Sequence, residues 1–224
     1  MAPEGGSRAP RFRTVVLDVD STLAGIEGID WLANRRRPKL AAETAALTNA
    51  AMAGEVPLQD VYARRLDLIA PTAHDVAALS AAYYAAVAPG AKECIAAFVR
   101  ADVRVLVVSG GLREALLPLA RDLGVADADV YGVGLRFGAD GAYAGFDLQS
   151  PLVQSEGKAH LLKGLLHALP RPVLHVGDGF TDAVTRGVVD AFAAYTGFVR
   201  REAVVERANF TVESFEGLRA LVLG

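Results

Sequence analysis

The chain has 224 residues, 52% hydrophobic and 22% charged, with 23 basic against 26 acidic side chains and a net charge of −3. That length and apolar content support a core without disulfides or structural metal, and exclude disordered, collagen-like and low-complexity classes. The acidic balance argues against nucleic acid as a partner, and a single cysteine, Cys94, excludes an internal disulfide and points to a reducing, cytoplasmic compartment.

Residues 1–11 (MAPEGGSRAPR) lack the apolar segment of a secretory signal and are expected to form a disordered tail. The run Thr14-Val15-Val16-Leu17 predicts a first strand that stops at Asp18. From Gly28 to Ala88 the pattern is helical, broken near Pro38, at Gly54–Pro57 and at Ala70-Pro71. Leu58, Val61, Tyr62, Arg65, Leu66 and Ile69 share one helical spacing; Val76, Leu79, Tyr83 and Val87 share another. No apolar run reaches the roughly 18 residues of a membrane span, so no membrane partner is expected. Val103–Val108 predicts a second strand ending at Ser109-Gly110-Gly111, with a helix from about Leu112. Residues 130–147 alternate around Gly138-Ala139-Asp140-Gly141, a hairpin signal. Val173–Val176 predicts a third strand before Gly177-Asp178-Gly179, and Asp190–Ala194 a weaker fourth. Helix-forming stretches near 90–101, 112–123, 156–168, 180–188 and 214–221 alternate with these strands.

Continuous apolar strands separated by helices specify an α/β chain with a Rossmann-like parallel sheet core. The expected division is a core of residues 12–22 and 89–224, an inserted helical-bundle cap of about four helices over 23–88, and a small β-hairpin insert at 130–147.

Chemistry concentrates where strands end. Asp18 and Asp20 are two residues apart, so an extended chain turns both carboxylates the same way. There they can share a hard cation or divide nucleophilic and acid–base roles; turn capping is the plainer alternative. Ser109-Gly110-Gly111 lies before a helix, where glycine lets backbone N–H groups approach an anion, although an ordinary turn has the same composition. Lys158 is one of four lysines against 19 arginines and opens a helix, where the macrodipole disfavours it. Its surroundings are not a Walker loop, since Leu152 and Ala159 replace the required Gly and Ser/Thr. Gly177-Asp178-Gly179-Phe180-Thr181-Asp182 adds carboxylates, and Asp178 can meet Asp18 and Asp20 across adjacent strands in an oxygen set suited to Mg²⁺. Elsewhere, His160 and His167 read as packing or surface residues, His175 as a hydrogen-bonded core histidine, and Trp31 as core of the insert. The basic stretch Asn34–Lys39 reads as a solvated loop.

In order, DxDST, a strand followed by SGG, a lone Lys and GDGxTD resemble the four motifs of the haloacid dehalogenase superfamily, in its Mg²⁺-dependent phosphatase branch. Glu27-Gly28-Ile29-Asp30, Met52–Pro57, Arg65-Leu66 and Tyr143–Asp147 extend the resemblance to the phosphoserine phosphatases over nearly the whole chain. Ala53 and Thr181 depart from it, standing where Gly and Asn are common. The resemblance implies hydrolysis of a small phosphomonoester, O-phospho-L-serine, to serine and phosphate through an aspartyl-phosphate, the last step of serine biosynthesis. It implies Asp18 as nucleophile, Asp20 as general acid and then base, and Lys158 as a catalytic cation. Mg²⁺ would be held by the Asp18 carboxylate, the Asp20 carbonyl and Asp178, with Asp182 acting on the metal indirectly. Phosphate would be bound by Ser109, Gly110, Gly111, Lys158 and Thr181. Glu27 would pair with the substrate ammonium, Arg65 with its carboxylate, and Met52 would lie beside it. A phosphatase or phosphotransferase for another small phosphometabolite, such as phosphohomoserine, is the nearest alternative; a non-catalytic phosphoserine-binding protein is a more distant one.

Overall fold

A strand with no polar face must be covered on both sides. In the computed structural model, which describes residues 9–224, β1 (Thr14–Leu17) is buried along its whole length. Residues 1–8 of the expected tail lie outside the described residues. The other strands of the main sheet are β2 (Arg104–Leu112), β3 (Val130–Val133), β6 (Val173–Gly177), β7 (Ala191–Tyr195) and β8 (Phe210–Val212). They are joined in the order β3-β2-β1-β6-β7-β8, every pair parallel. The chain leaves β1 for one side of the sheet and later returns to its other side at β6. The order therefore reverses at β1, and open α/β sheets bind ligands beyond the strand ends at such a point.

Two expectations about strands need correcting. β2 does not stop at Ser109; it continues to Leu112, which pairs with Val133 after a register shift beyond Val108. The glycines stay extended there because neither carries a side chain that must choose a face. The expected hairpin over 130–147 is also shorter. Val130–Val133 joins the main sheet, and only β4 (Leu135–Phe137) and β5 (Tyr143–Phe146) form the antiparallel pair. β8, three residues long, is too short to show a period and went unforeseen.

Five α-helices lie between β1 and β2, and the first four form the insert: α1 (Gly28–Arg36), α2 (Ala41–Ala53), α3 (Leu58–Ile69) and α4 (Ala73–Ala85). α3 buries Leu58, Val61, Tyr62, Arg65, Leu66 and Ile69, the face its spacing predicts. The insert's two connections run side by side: Ala24 bridges Asp20 and Val87, Gly25 N donates to Ala86 O at 2.9 Å, and Ala88 N to Leu23 O at 2.9 Å. The remaining helices are α5 (Ala91–Arg100), α6 (Arg113–Asp122), α7 (Gly157–Leu165), α8 (Phe180–Ala183), α9 (Glu202–Val205) and α10 (Phe215–Leu223). α5 buries Ala91, Cys94, Ile95 and Phe98, and α10 packs against it. No described helix is long and apolar enough to cross a membrane.

The basic stretch is not simply solvated. Arg36 Nη1 donates to Asp75 Oδ2 at 2.7 Å and its Nε to the Ile69 carbonyl at 2.9 Å, tying the end of α1 to the end of α3 and the start of α4. Asp75 also completes a capping box with Thr72. Burial opposes its charge, but Thr72 and Arg36 together hold its carboxyl below the ordinary 3.8. Thr72→Ala is expected to cost about 1 kcal/mol of stability. Asp75→Ala should cost about 2–3 kcal/mol, because it also strands Arg36. The Asp75 contribution is present above its ordinary pKa and disappears as pH falls toward the lower folded value. Urea unfolding at neutral and acid pH checks both; equal losses in the two variants at neutral pH would show that the Arg36 tie is worth nothing.

Candidate active site

β1 and β6 are neighbours in register, Leu17 beside Val176, so the next residues of each strand emerge together. Asp18 N donates to Val176 O at 3.0 Å, which continues the ladder one step past β1. Asp178 follows Gly177 at the end of β6. Asp18, Asp178 and Asp182 each present a carboxylate oxygen within 4.8 Å of the others, and all three residues are buried.

A buried cation offsets this negative charge. Lys158, in the first turn of α7 and 4% exposed, places Nζ 2.8 Å from Asp18 Oδ1 and 2.6 Å from Asp182 Oδ1. Burial works against its charge, but the two carboxylates outweigh burial and hold its pKa above the ordinary value. The macrodipole penalty at a helix start is small beside these two ion pairs. Asp182 is the better satisfied acid. Its Oδ2 accepts from Gly179 N at 3.0 Å, its Oδ1 lies 3.1 Å from His175 Nε2, and Lys158 and His175 hold its pKa down against burial. Thr185 donates to the Asp182 carbonyl at 2.6 Å, so its oxygen accepts from His175 Nδ1 at 2.8 Å. His175 is the hydrogen-bonded core histidine that its setting predicts.

Asp18 is less satisfied. Oδ1 has the Lys158 ammonium nearby but no well-directed hydrogen bond, and burial followed by Asp182 pushes its pKa up. Burial also raises Asp178 well above the ordinary value; Arg201 opposes this from Asp178 Oδ2, and Thr22 Oγ1 donates to Oδ1 at 3.3 Å. Hard carboxylate oxygens in this arrangement, one of them buried without a directed donor, fit a divalent cation.

Asp20 turns toward the insert. Its Oδ1 accepts from Tyr83 Oη at 2.6 Å and from Gly28 N at 3.2 Å, and burial pushes its pKa up to about 7. Burial likewise pushes Glu27 up to about 8, with Asp20 adding to the rise and the Ser21 hydroxyl, donating at 2.7 Å, opposing it. Across the cleft, Arg65 Nη2 donates to Asp30 Oδ1 at 2.8 Å, and Thr48 donates to the same oxygen at 2.8 Å. Arg65 Nε is buried and unpartnered. Tyr62 Oη donates to Gly110 O at 2.8 Å, linking α3 to the end of β2.

One cleft is lined by Asp18, Asp20, Ser109, Gly110, Lys158, Asp178 and Thr181 from around the sheet, and by Glu27, Met52 and Arg65 from the insert. Two predicted residues stand back from it. Gly111 does not line the cleft, because its N–H is taken by Ser109 Oγ at 3.1 Å. Asp182 sits behind Lys158 rather than in the wall. His160 and His167 are exposed, and Trp31 packs against the core with Arg35 over its ring. Sequence reasoning missed Tyr62, Tyr83, Asp30 and Arg201. The tyrosines fall at helical spacing and read as core, their hydroxyls being the only hint, and Arg201 lies in an irregular stretch with no motif.

The family model of haloacid dehalogenase-like hydrolases matches residues 15–185. The chain belongs to that family. The hydrolase is 33% identical to mouse phosphoserine phosphatase over 202 residues, covering 90% of this chain and 89% of the mouse protein. It is 34% identical to the chloroplastic phosphoserine phosphatase of Arabidopsis thaliana, covering 91% of this chain and 70% of the plant protein. Its fold matches that of a phosphoserine phosphohydrolase-like protein from Francisella tularensis with a TM-score of 0.86 at 24% identity, over 93% of this chain and 99% of the other.

Removing Asp182 leaves the buried Lys158 with one carboxylate instead of two, and breaking such a network costs about 3–5 kcal/mol. Asp182→Ala should therefore unfold at correspondingly lower denaturant. A loss below about 1 kcal/mol would mean that Lys158 finds water instead.

Proposed function

We propose that this hydrolase is a phosphoserine phosphatase, with residues 12–22 and 89–224 as catalytic core and 23–88 as a cap that reads the substrate. The observation that carries the reading is the composition of one cleft, which brings Asp18, Asp20 and Lys158 together with the half-buried carboxylate of Glu27 and the buried guanidinium of Arg65. A zwitterionic phosphoamino acid needs one anion for its ammonium, one cation for its carboxylate and donors for its phosphate. Glu27 supplies the first; a half-buried acid whose nearest partners are a hydroxyl and other acids gains most from an ammonium. Arg65 supplies the second, aimed by Asp30 and Thr48 and with Nε still unpartnered. Ser109, the Gly110 backbone, Thr181 and Lys158 supply the third.

In this reading Asp18 attacks phosphorus, and the bond from phosphorus to the serine oxygen breaks as Asp20 gives that oxygen its proton. Asp20, now a carboxylate, takes a proton from water. The water oxygen attacks phosphorus, freeing Asp18 and inorganic phosphate. Lys158 stays protonated throughout and balances charge on Asp18 and the transferring oxygens. The Asp18 and Asp178 carboxylates and the Asp20 carbonyl would hold Mg²⁺. When bound, the ion screens repulsion between Asp18 and phosphate and draws charge from the transferring phosphoryl group. The lone buried thiol of Cys94 fits a reducing compartment, and we place the protein in the cytoplasm.

Phosphate release from O-phosphoserine with Mg²⁺, in excess EDTA, and by Asp18→Asn tests the reading. Turnover should need the metal and vanish in the variant, since an amide forms no acyl phosphate. Full activity in EDTA, or steady turnover by Asp18→Asn with deamidation excluded, would overturn it.

Substrate choice has its own test. Losing one desolvated charge-assisted contact costs about 2–5 kcal/mol, roughly thirty- to several-thousand-fold in kcat/KM. Glu27→Gln and Arg65→Met should lose this on phosphoserine while an aryl phosphate, lacking both groups, hardly changes. Parallel losses on the two substrates would assign these residues to cap structure, and unchanged phosphoserine turnover would move the assignment to another phosphomonoester.

A further inference from the structure

Tyr83 is fully buried near the end of α4, on a helix otherwise rich in alanine. A buried phenol needs an acceptor. The one it takes belongs to the reaction centre: Asp20 Oδ1, at 2.6 Å, 63 residues away in the chain. The surroundings leave room for that hydroxyl and little else. A Cβ on Gly28 would run into it, and a Cβ on Gly111 would lie 3.3 Å from it. Gly28 must therefore lack a side chain for Tyr83 to reach Asp20, and Gly28 N then donates to the same Oδ1 at 3.2 Å.

Two donors on one oxygen have a chemical consequence. Oδ1 is fixed as the acceptor, so when Asp20 carries a proton that proton belongs on Oδ2, and the carboxyl plane cannot rotate to exchange the two. We propose that Tyr83 is a positioning residue for proton transfer, holding Asp20 from the insert so that Oδ2 alone delivers and collects the proton. This rests on the acid–base role given to Asp20 above. It adds a dependence of the chemical step on α4, none of whose residues lines the cleft.

The test uses leaving groups that differ in their need for a proton. A serine alkoxide must be protonated as it departs; p-nitrophenolate leaves without help. Full-length wild type, Tyr83→Phe and Asp20→Asn are assayed with Mg²⁺ on O-phosphoserine and on p-nitrophenyl phosphate, with melting curves for each. Tyr83→Phe keeps the ring and its packing and removes only the donor. Its kcat/KM on phosphoserine should fall about ten- to hundredfold, part of the 10²–10⁴ that acid–base catalysis supplies. The fall should appear in kcat with KM within about twofold, and kcat/KM on the aryl ester should stay within about threefold. Asp20→Asn should show the same contrast, enlarged. Equal losses on both substrates in Tyr83→Phe would make Tyr83 a packing residue, and no loss on either would remove it from the reaction. Both outcomes leave the function intact if Asp20→Asn still collapses phosphoserine turnover. Undiminished turnover by Asp20→Asn would instead overturn the acid–base reading itself, and this inference with it.

Discussion

The buried ammonium of Lys158 holds together a site otherwise built from acids. Asp18 and Asp182 lie on either side of it, both out of water, and carboxylates that close cannot both stay ionised without a cation between them. The arrangement constrains everything nearby. β1 and β6 must be adjacent so that Asp18 and Asp178 emerge side by side. The start of α7 must reach back between Asp18 and Asp182, and His175, Thr185 and Gly179 must occupy the far side of Asp182 so that it stays charged. Replacing the network by apolar residues would give a comparable fold with no chemistry. Its cost is accepted where several carboxylates have to be held close together out of water.

The second constraint is the closure of the insert over this cluster. The helices α1–α4 enter and leave through two adjacent stretches of chain cross-linked at Ala24. Hydroxyls from two of them reach the core: Tyr62 to the Gly110 carbonyl in β2 and Tyr83 to Asp20 beside the connections. Glu27, Met52 and Arg65 complete the wall of a cleft whose floor is the acid cluster. Residues of the insert and of the sheet thus line one cleft together, which fits the exclusion of water from a phosphoryl transfer.

Much of this was legible in the chain. Val15, Val16 and Leu17 have no polar side chain, and Val173 to Val176 has only His175, so both runs read as interior parallel strands, and that pattern is a local property. Asp18 and Asp20, Ser109-Gly110, Lys158 and Asp178 stand where such strands end or helices begin, so strand topology gathers them without further information. Spacing also marked the buried face of α3. Strand ends were less legible. Gly110 and Gly111 read as a turn because glycine usually breaks regularity, yet the neighbouring strand extends β2 to Leu112. Val130–Val133 read as hairpin because its hydrophobic alternation is the same whether its partner is β4 or β2.

Sequence by itself therefore determined the fold class and put Asp18, Asp20, Ser109, Lys158 and Asp178 at strand ends and helix starts, because both follow from local period and from the position of a polar residue at the end of an apolar run. Tertiary structure decided which partners those residues keep. That Asp182 serves Lys158 from behind, that Gly111 spends its N–H on Ser109, and that Arg36 ties three helices depend on distances across the chain. So does the meeting of Tyr83 with Asp20, across 63 residues and through the space left by Gly28. A hydrogen bond is made over about 3 Å, and no periodicity in a sequence carries information on that scale about groups brought together only when the insert packs against the sheet.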